Sequence, residues 1–179
     1  KVNYFLERFF IKILIMEKAT IGKDLEICRI LNGMWQVAGG HGQIDSKLAI
    51  QDMQKYQESG FTTWDLADIY GPAESLIGDF SKKVEQDVQA FTKFVPNPGP
   101  MSNSIVTYYI DESLKKMNTD CIDLLQFHWW DYQDSNYINA LQHLSKLQED
   151  GKIKNLGLTN FDTKRIKIII EKGFKIISN

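Results

Sequence analysis

Cysteine, proline and histidine are scarce in this chain, and it has no long run of one charge sign or of uncharged apolar residues. Its 179 residues include 2 cysteines, 4 prolines and 3 histidines. Cys28 and Cys121 lie far apart without CxxC spacing, which excludes a disulfide framework and a zinc module; both read as buried thiols in a reducing, cytoplasmic setting. His41, His128 and His143 show no ligand spacing, so no metal is expected. With 21 basic and 23 acidic residues, the net charge of -2 gives no basic face for nucleic acid. No uncharged stretch is long enough to span a bilayer, and no signal-peptide pattern is present, so no membrane partner is expected.

What is present is an ordinary globular composition, 43% hydrophobic and 12% aromatic with 4 Trp, enough for one sizeable core. Residues 1–16, KVNYFLERFFIKILIM, are apolar but broken by Glu7, Arg8 and Lys12. As a helix they place Phe5, Phe9, Lys12 and Met16 on one stripe. They read as an extension ahead of the domain, with Met16 as an original start, and the division expected is 1–25 as extension and 26–179 as one domain.

From residue 26 onward strands and helices alternate. Expected strands cover 27–37, 61–65, 88–94, 121–127, 153–158 and 174–177. Between them, Asp45 or Ser46 caps a helix with Ala49, Met53 and Tyr56 on one face. A short helix over 74–83 turns Leu76 and Ile77 inward. Asn103 or Ser104 opens a third, carrying Ile105, Tyr109 and Leu114. Ile138, Leu141, Leu144 and Leu147 mark the fourth, and Asp162 or Thr163 caps a fifth with Ile166, Ile169 and Ile170. Alternation of this kind implies a parallel α/β sheet, either open and doubly wound or closed as a (β/α)8 TIM barrel. The absence of GxGxxG after the first strand weighs against an open dinucleotide-binding sheet.

Both architectures place their sites at the carboxyl ends of the strands. There the sequence puts Asp65, Lys93 and His128, with Tyr70 on the loop after Asp65 in WDLADIYGPAE. A free Tyr, with a pKa of about 10, is poorly matched to proton transfer at neutral pH, and the Lys93 ammonium is expected to lower it. Asp65 would hold Lys93, and His128 would donate to a substrate oxygen. Such a set suits carbonyl reduction with Tyr70 as proton donor, and since no side chain supplies a hydride, a nicotinamide must.

WDLADIYGPAE, FTKF, LLQFHWWD and LQEDGKIKNLGLTNFD, in that order and spacing, resemble the strand-end motifs of the aldo/keto reductase family, from about Cys28 to the end of the chain. The resemblance implies a (β/α)8 barrel and NADP (NADPH), less often NADH, as cofactor. It puts the family's catalytic Asp, Tyr, Lys and His on Asp65, Tyr70, Lys93 and His128. It also implies substrate-pocket aromatics at Trp35 and Trp129, and nicotinamide contacts at Asp65, Thr159 and Asn160. The small-molecule substrate implied is an aldehyde or ketone. The family's last two strands are not matched, so an incomplete barrel of about six strands is expected, with open edges that invite oligomerisation. Two other readings remain: a non-catalytic regulatory subunit on the same fold, and an inactive truncated remnant.

Overall fold

The computed structural model describes residues 16–40 and 42–179. The stripe of Phe5, Phe9 and Lys12, and His41, lie outside the described residues. The chain opens on an antiparallel hairpin, β1 (Lys18–Ile21) with β2 (Leu25–Cys28), turning through Gly22 at φ 62°. Five strands then build one parallel sheet in sequence order: β3 (Asn32–Gly33), β4 (Thr63–Asp65), β5 (Gln89–Phe94), β6 (Leu124–His128) and β7 (Leu156–Thr159). The crossovers carry α1 (Ser46–Glu58), α2 (Ala73–Ser81), α3 (Asn103–Met117) and α4 (Tyr137–Glu149), and α5 (Thr163–Glu171) follows β7. This is an incomplete (β/α) barrel.

Two expectations at the ends need correction. The apolar run 27–37 is not one strand. Its first residues pair backward in the hairpin, only Asn32 and Gly33 join the sheet, and Trp35–Ala38 closes a 3₁₀ turn. The run 174–177 does not form a full strand either. It contributes a single parallel bridge, Leu156 to Ile176, held by Ile177 N donating to Leu156 O and Leu158 N to Ser178 O. Among the described residues β3 pairs only with β4.

Three cores follow from strand alternation. Leu25 of the hairpin packs inside the wall on Phe91 and Leu124, closing one end of the interior. The hairpin is tied there by Cys28 N donating to Thr63 Oγ1 and Gln89 Nε2 to Glu26 O. Outside the wall, Trp64 of β4 packs with Ile50 and Met53 of α1 and Ile77 and Phe80 of α2, and Leu125 and Phe127 of β6 pack with Val106 and Ile110 of α3, Leu141 and Leu144 of α4 and Ile169 of α5. Asp45 is the cap of α1, accepting from Lys47 N and Leu48 N, and Asp162 that of α5. Ser102, not Asn103 or Ser104, caps α3. The buried face of α3 is Val106, Ile110, Leu114 and Met117, one step round from the expected Ile105 and Tyr109, which are exposed. Tyr56 and Ile170 are exposed too, each at the margin of its helix's apolar stripe. Both cysteines are free; Cys28 is buried as expected, but Cys121 is exposed. No described helix is long and apolar enough to cross a membrane.

A close approach of α2 to α3 rests on Gly78. A Cβ there would stand 2.1 Å from the Lys116 carbonyl oxygen and 3.0 Å from the Met117 carbonyl carbon, both backbone atoms that cannot step aside. Intrinsic helix propensity alone favours Gly78→Ala by about 1 kcal/mol. The clash reverses that sign, and we expect a net loss of about 1–3 kcal/mol by urea unfolding. A stabilised variant would show that α2 and α3 can separate freely.

Candidate active site

Alternation along β6 sends Leu124, Gln126 and His128 toward the interior and Leu125 and Phe127 toward the helices. Register places Lys93 beside Gln126 and His128 beside Thr159. Asp65, Lys93, His128 and Thr159 therefore end or nearly end four adjacent strands at one mouth of the wall. Tyr70 follows on a turn in which Tyr70 N donates to Ala67 O and Ala73 N to Tyr70 O.

Lys93 is 8% exposed, and its Nζ donates to Asp65 Oδ1 at 2.7 Å and to Leu66 O at 2.7 Å. The same Nζ stands 5.1 Å from the centroid of the Tyr70 ring. Trp35 meets that ring edge-on, centroids 5.0 Å apart at 75°. The structure thus brings Asp65, Lys93, Tyr70 and Trp35 into one cluster. His128 stacks instead against Trp130, centroids 4.2 Å apart. Burial, and secondarily the charge on Lys93, lower the His128 pKa below its ordinary value, so the ring is neutral at pH 7 and keeps one N–H to donate.

The electrostatics of Tyr70 run opposite to expectation. Its pKa is raised, first by burial and then by the Asp65 carboxylate. The Lys93 charge is already met by Asp65 and the Leu66 carbonyl, so it does not overcome those two effects. The phenol is consequently protonated throughout the neutral range.

Trp129 does not line the mouth. It continues the helix-facing side of β6, is 1% exposed, and spends its indole N–H on the carbonyls of Asp131 and Asp134. Its neighbour Trp130, 58% exposed, is the aromatic beside His128. The two-residue period of the strand, counted on from His128, is the signal that distinguishes them.

Among the described residues Thr159 Oγ1 is buried without a hydrogen-bond partner, and so is Gln126 Oε1 on the neighbouring strand. Asn160 adopts the left-handed conformation at φ 63°, and its carbonyl accepts from Tyr132 Oη at 2.7 Å. An orphaned acceptor at the level of His128 fits a ligand group with N–H donors, such as a carboxamide. A groove of about 700 Å³ lies elsewhere, on the outer side of the wall between β3 and α1, lined by Met34, Leu48, Met53, Tyr56 and Trp64. It contains none of the ionisable cluster, which we take as the site on chemical grounds.

Sequence reading also passed over Asp68. Burial pushes its carboxyl up to about 6, opposed by its hydrogen bond from Val95 N. Beneath it Glu74, buried on α2, accepts from Thr92 Oγ1 at 2.8 Å and pairs with Lys116 Nζ at 3.4 Å.

Comparison with known proteins bears on the fold and the family. The chain is 30% identical over 167 residues to the 6-dehydroglucose reductase of Agrobacterium fabrum, covering 82% of this chain and 54% of that protein. Its fold superposes on the thermostable aldo-keto reductase Tm1743, solved with the inhibitor epalrestat, at a TM-score of 0.78 and 23% identity, over 90% of this chain and 61% of that one. It also superposes on an aldo-keto reductase of Bombyx mori in complex with NADP, at a TM-score of 0.74 and 19% identity, over 90% of this chain and 56% of the other. The chain therefore spans little more than half the length of these relatives. The model of the aldo/keto reductase family matches residues 29–179, and with that match the chain belongs to the aldo/keto reductase family.

Proposed function

We propose that the protein reduces an aldehyde or ketone to the alcohol, with Tyr70 as general acid and NADPH as hydride source. The observation that carries this is the partly buried Lys93–Asp65 pair packed against the Tyr70 ring, on a wall that also presents a neutral His128. Thr159 and Asn160 would hold a nicotinamide, and a reduced nicotinamide there would supply the hydride that the side chains lack. Tyr70 donates its hydroxyl proton to the carbonyl oxygen as negative charge gathers there, so hydride and proton together complete the alcohol. Lys93 offsets the charge left on the phenol, and Asp65 holds the ammonium in place. His128 donates a hydrogen bond to the same oxygen and sets the carbonyl's orientation.

Thr159 and Asn160 would face the nicotinamide carboxamide, supported by Thr159 Oγ1, which has no partner among the described residues, and Asp65 would lie on the same side of the site. Trp35 and Trp130 replace the expected pair Trp35 and Trp129 as aromatic walls for the substrate. NADPH is taken as the hydride source because an aldo-keto reductase of this fold from Bombyx mori is solved with NADP. The two free cysteines suit a cytoplasmic setting.

The test is to titrate the protein with NADPH by fluorescence, then follow cofactor oxidation with a panel of aldehydes and ketones. Saturable binding with turnover supports the reading. Binding without turnover of any carbonyl indicates the regulatory subunit instead, and absence of binding removes the cofactor assignment.

A further inference from the structure

The loop that carries Tyr70 leaves β5 by an unusual rung. Past the end of β4 two more amides still pair with β5, Leu66 N donating to Phe91 O at 2.8 Å and Asp68 N to Lys93 O at 3.1 Å, while Leu66 O accepts from Lys93 Nζ. The next rung of a regular parallel ladder takes Val95 N to the main-chain carbonyl of residue 68. Here Val95 N donates at 3.1 Å to the side chain, Asp68 Oδ2. The freed main chain turns at once, with Tyr70 N on Ala67 O and Gly71 at φ 52°, close enough to Ala38 that a Cβ would stand 3.3 Å from its Cα. Tyr70 emerges from that turn against Trp35 and Lys93.

We propose that Asp68 is a positioning residue for Tyr70: its carboxylate stands in for its own main-chain carbonyl on β5, which ends the ladder and aims the phenol at the mouth. A carboxylate is expensive in this place. Among the described residues Asp68 Oδ1 is buried without a partner, Glu74 on α2 adds like charge, and Lys116 on α3 is the one facing charge that opposes it. A group held at such cost, two residues before the proposed proton donor, has a use that an apolar side chain cannot supply. Only the catalytic consequence rests on the function proposed above; the placement of Tyr70 does not.

The test compares the full chain with Asp68→Ala and Asp68→Asn by NMR. Asn retains a side-chain oxygen for Val95 N, whereas Ala retains none. Nuclear Overhauser contacts between the Tyr70 and Trp35 rings, present in the parent, are expected to vanish in Asp68→Ala and to return in Asp68→Asn. Amide exchange at Val95 should quicken about tenfold in the Ala variant, the equivalent of one lost hydrogen bond. Where the protein turns over a carbonyl, Asp68→Ala should lower kcat with little change in NADPH affinity. If the Ala variant does not fold, the parent and Asp68→Asn decide. The Val95 amide shift should titrate between pH 5 and 7 in the parent and stay flat in Asp68→Asn. Unchanged ring contacts in Asp68→Ala, or a flat Val95 amide in the parent, would overturn the proposal. A parent without carbonyl turnover bears on the proposed function alone, since the ring contacts are read without it.

Discussion

Replacing Tyr70 by Phe is expected to cut carbonyl turnover by at least about a hundredfold while leaving NADPH binding nearly intact. The substitution removes one oxygen. The ring's edge contact with Trp35 and its place beside Lys93 Nζ depend on the aromatic face, which Phe retains. A hundredfold corresponds to about 2.7 kcal/mol of transition-state stabilisation. The raised pKa of Tyr70 sharpens the expectation, because a phenol kept protonated by burial and by Asp65 is in the donating form across the neutral range. Single-turnover rates with prebound NADPH isolate this step. Near-full turnover in the Phe variant would remove Tyr70 as the donor and leave His128, neutral and bearing one N–H, as the remaining candidate.

Much of this site was legible because strand ends are legible. Asp65, Lys93 and His128 each close an apolar run, and the parallel order of β4, β5 and β6 puts such residues at one mouth whatever the details of packing. The sign of the Tyr70 shift was not legible. It depends on how deeply the loop is buried and on Lys93 being already engaged by Asp65 and Leu66 O, and neither is a property of spacing. Asp68 is visible in the sequence as one more carboxylate in WDLADIYGPAE. Its role lies in a displaced ladder rung, which exists only once Val95 is placed beside it.

The fold shows the same division. The face of α4 follows from Leu141, Leu144 and Leu147, all buried. The face of α3 does not: Ile105 and the Tyr109 ring offer apolar surface as Val106 and Ile110 do, and which set turns inward is decided by the sheet beneath. The run 27–37 misleads for a related reason. Apolar residues mark a strand but not its partner, and the turn at Gly22 to Asp24 lets 25–28 fold back on 18–21 before the chain reaches the barrel wall. Trp129 and Trp130 differ by one residue and hence by the whole thickness of the wall.

Lys93→Met is expected to shift the entire pH profile of turnover upward and to lower its plateau by more than about tenfold. Met keeps the aliphatic stem that fills the interior and deletes the ammonium bound by Asp65 and the Leu66 carbonyl. Breaking a buried ion pair by removing one partner costs about 3–5 kcal/mol, and the 30% exposure of the Asp65 side chain reduces this to about 2–3 kcal/mol. The sign of each titration follows from what Lys93 does now. Tyr70 already stands above its ordinary value through burial and the Asp65 charge; without the ammonium, Asp65 acts on the phenol unopposed and raises it further. Donation needs the protonated phenol, so the alkaline limb of the profile moves to higher pH. His128 is lowered by burial and by the Lys93 charge, and loss of that charge lets its pKa rise toward the ordinary range. The acid limb, where His128 takes up a second proton, therefore moves to higher pH as well. The plateau falls because the charge developing on Tyr70 has lost its counter-ion, not because the donor is missing. Limbs that stay in place in the Met variant would show that the ammonium is coupled to neither Tyr70 nor His128, and would reduce Lys93 to a structural partner of Asp65.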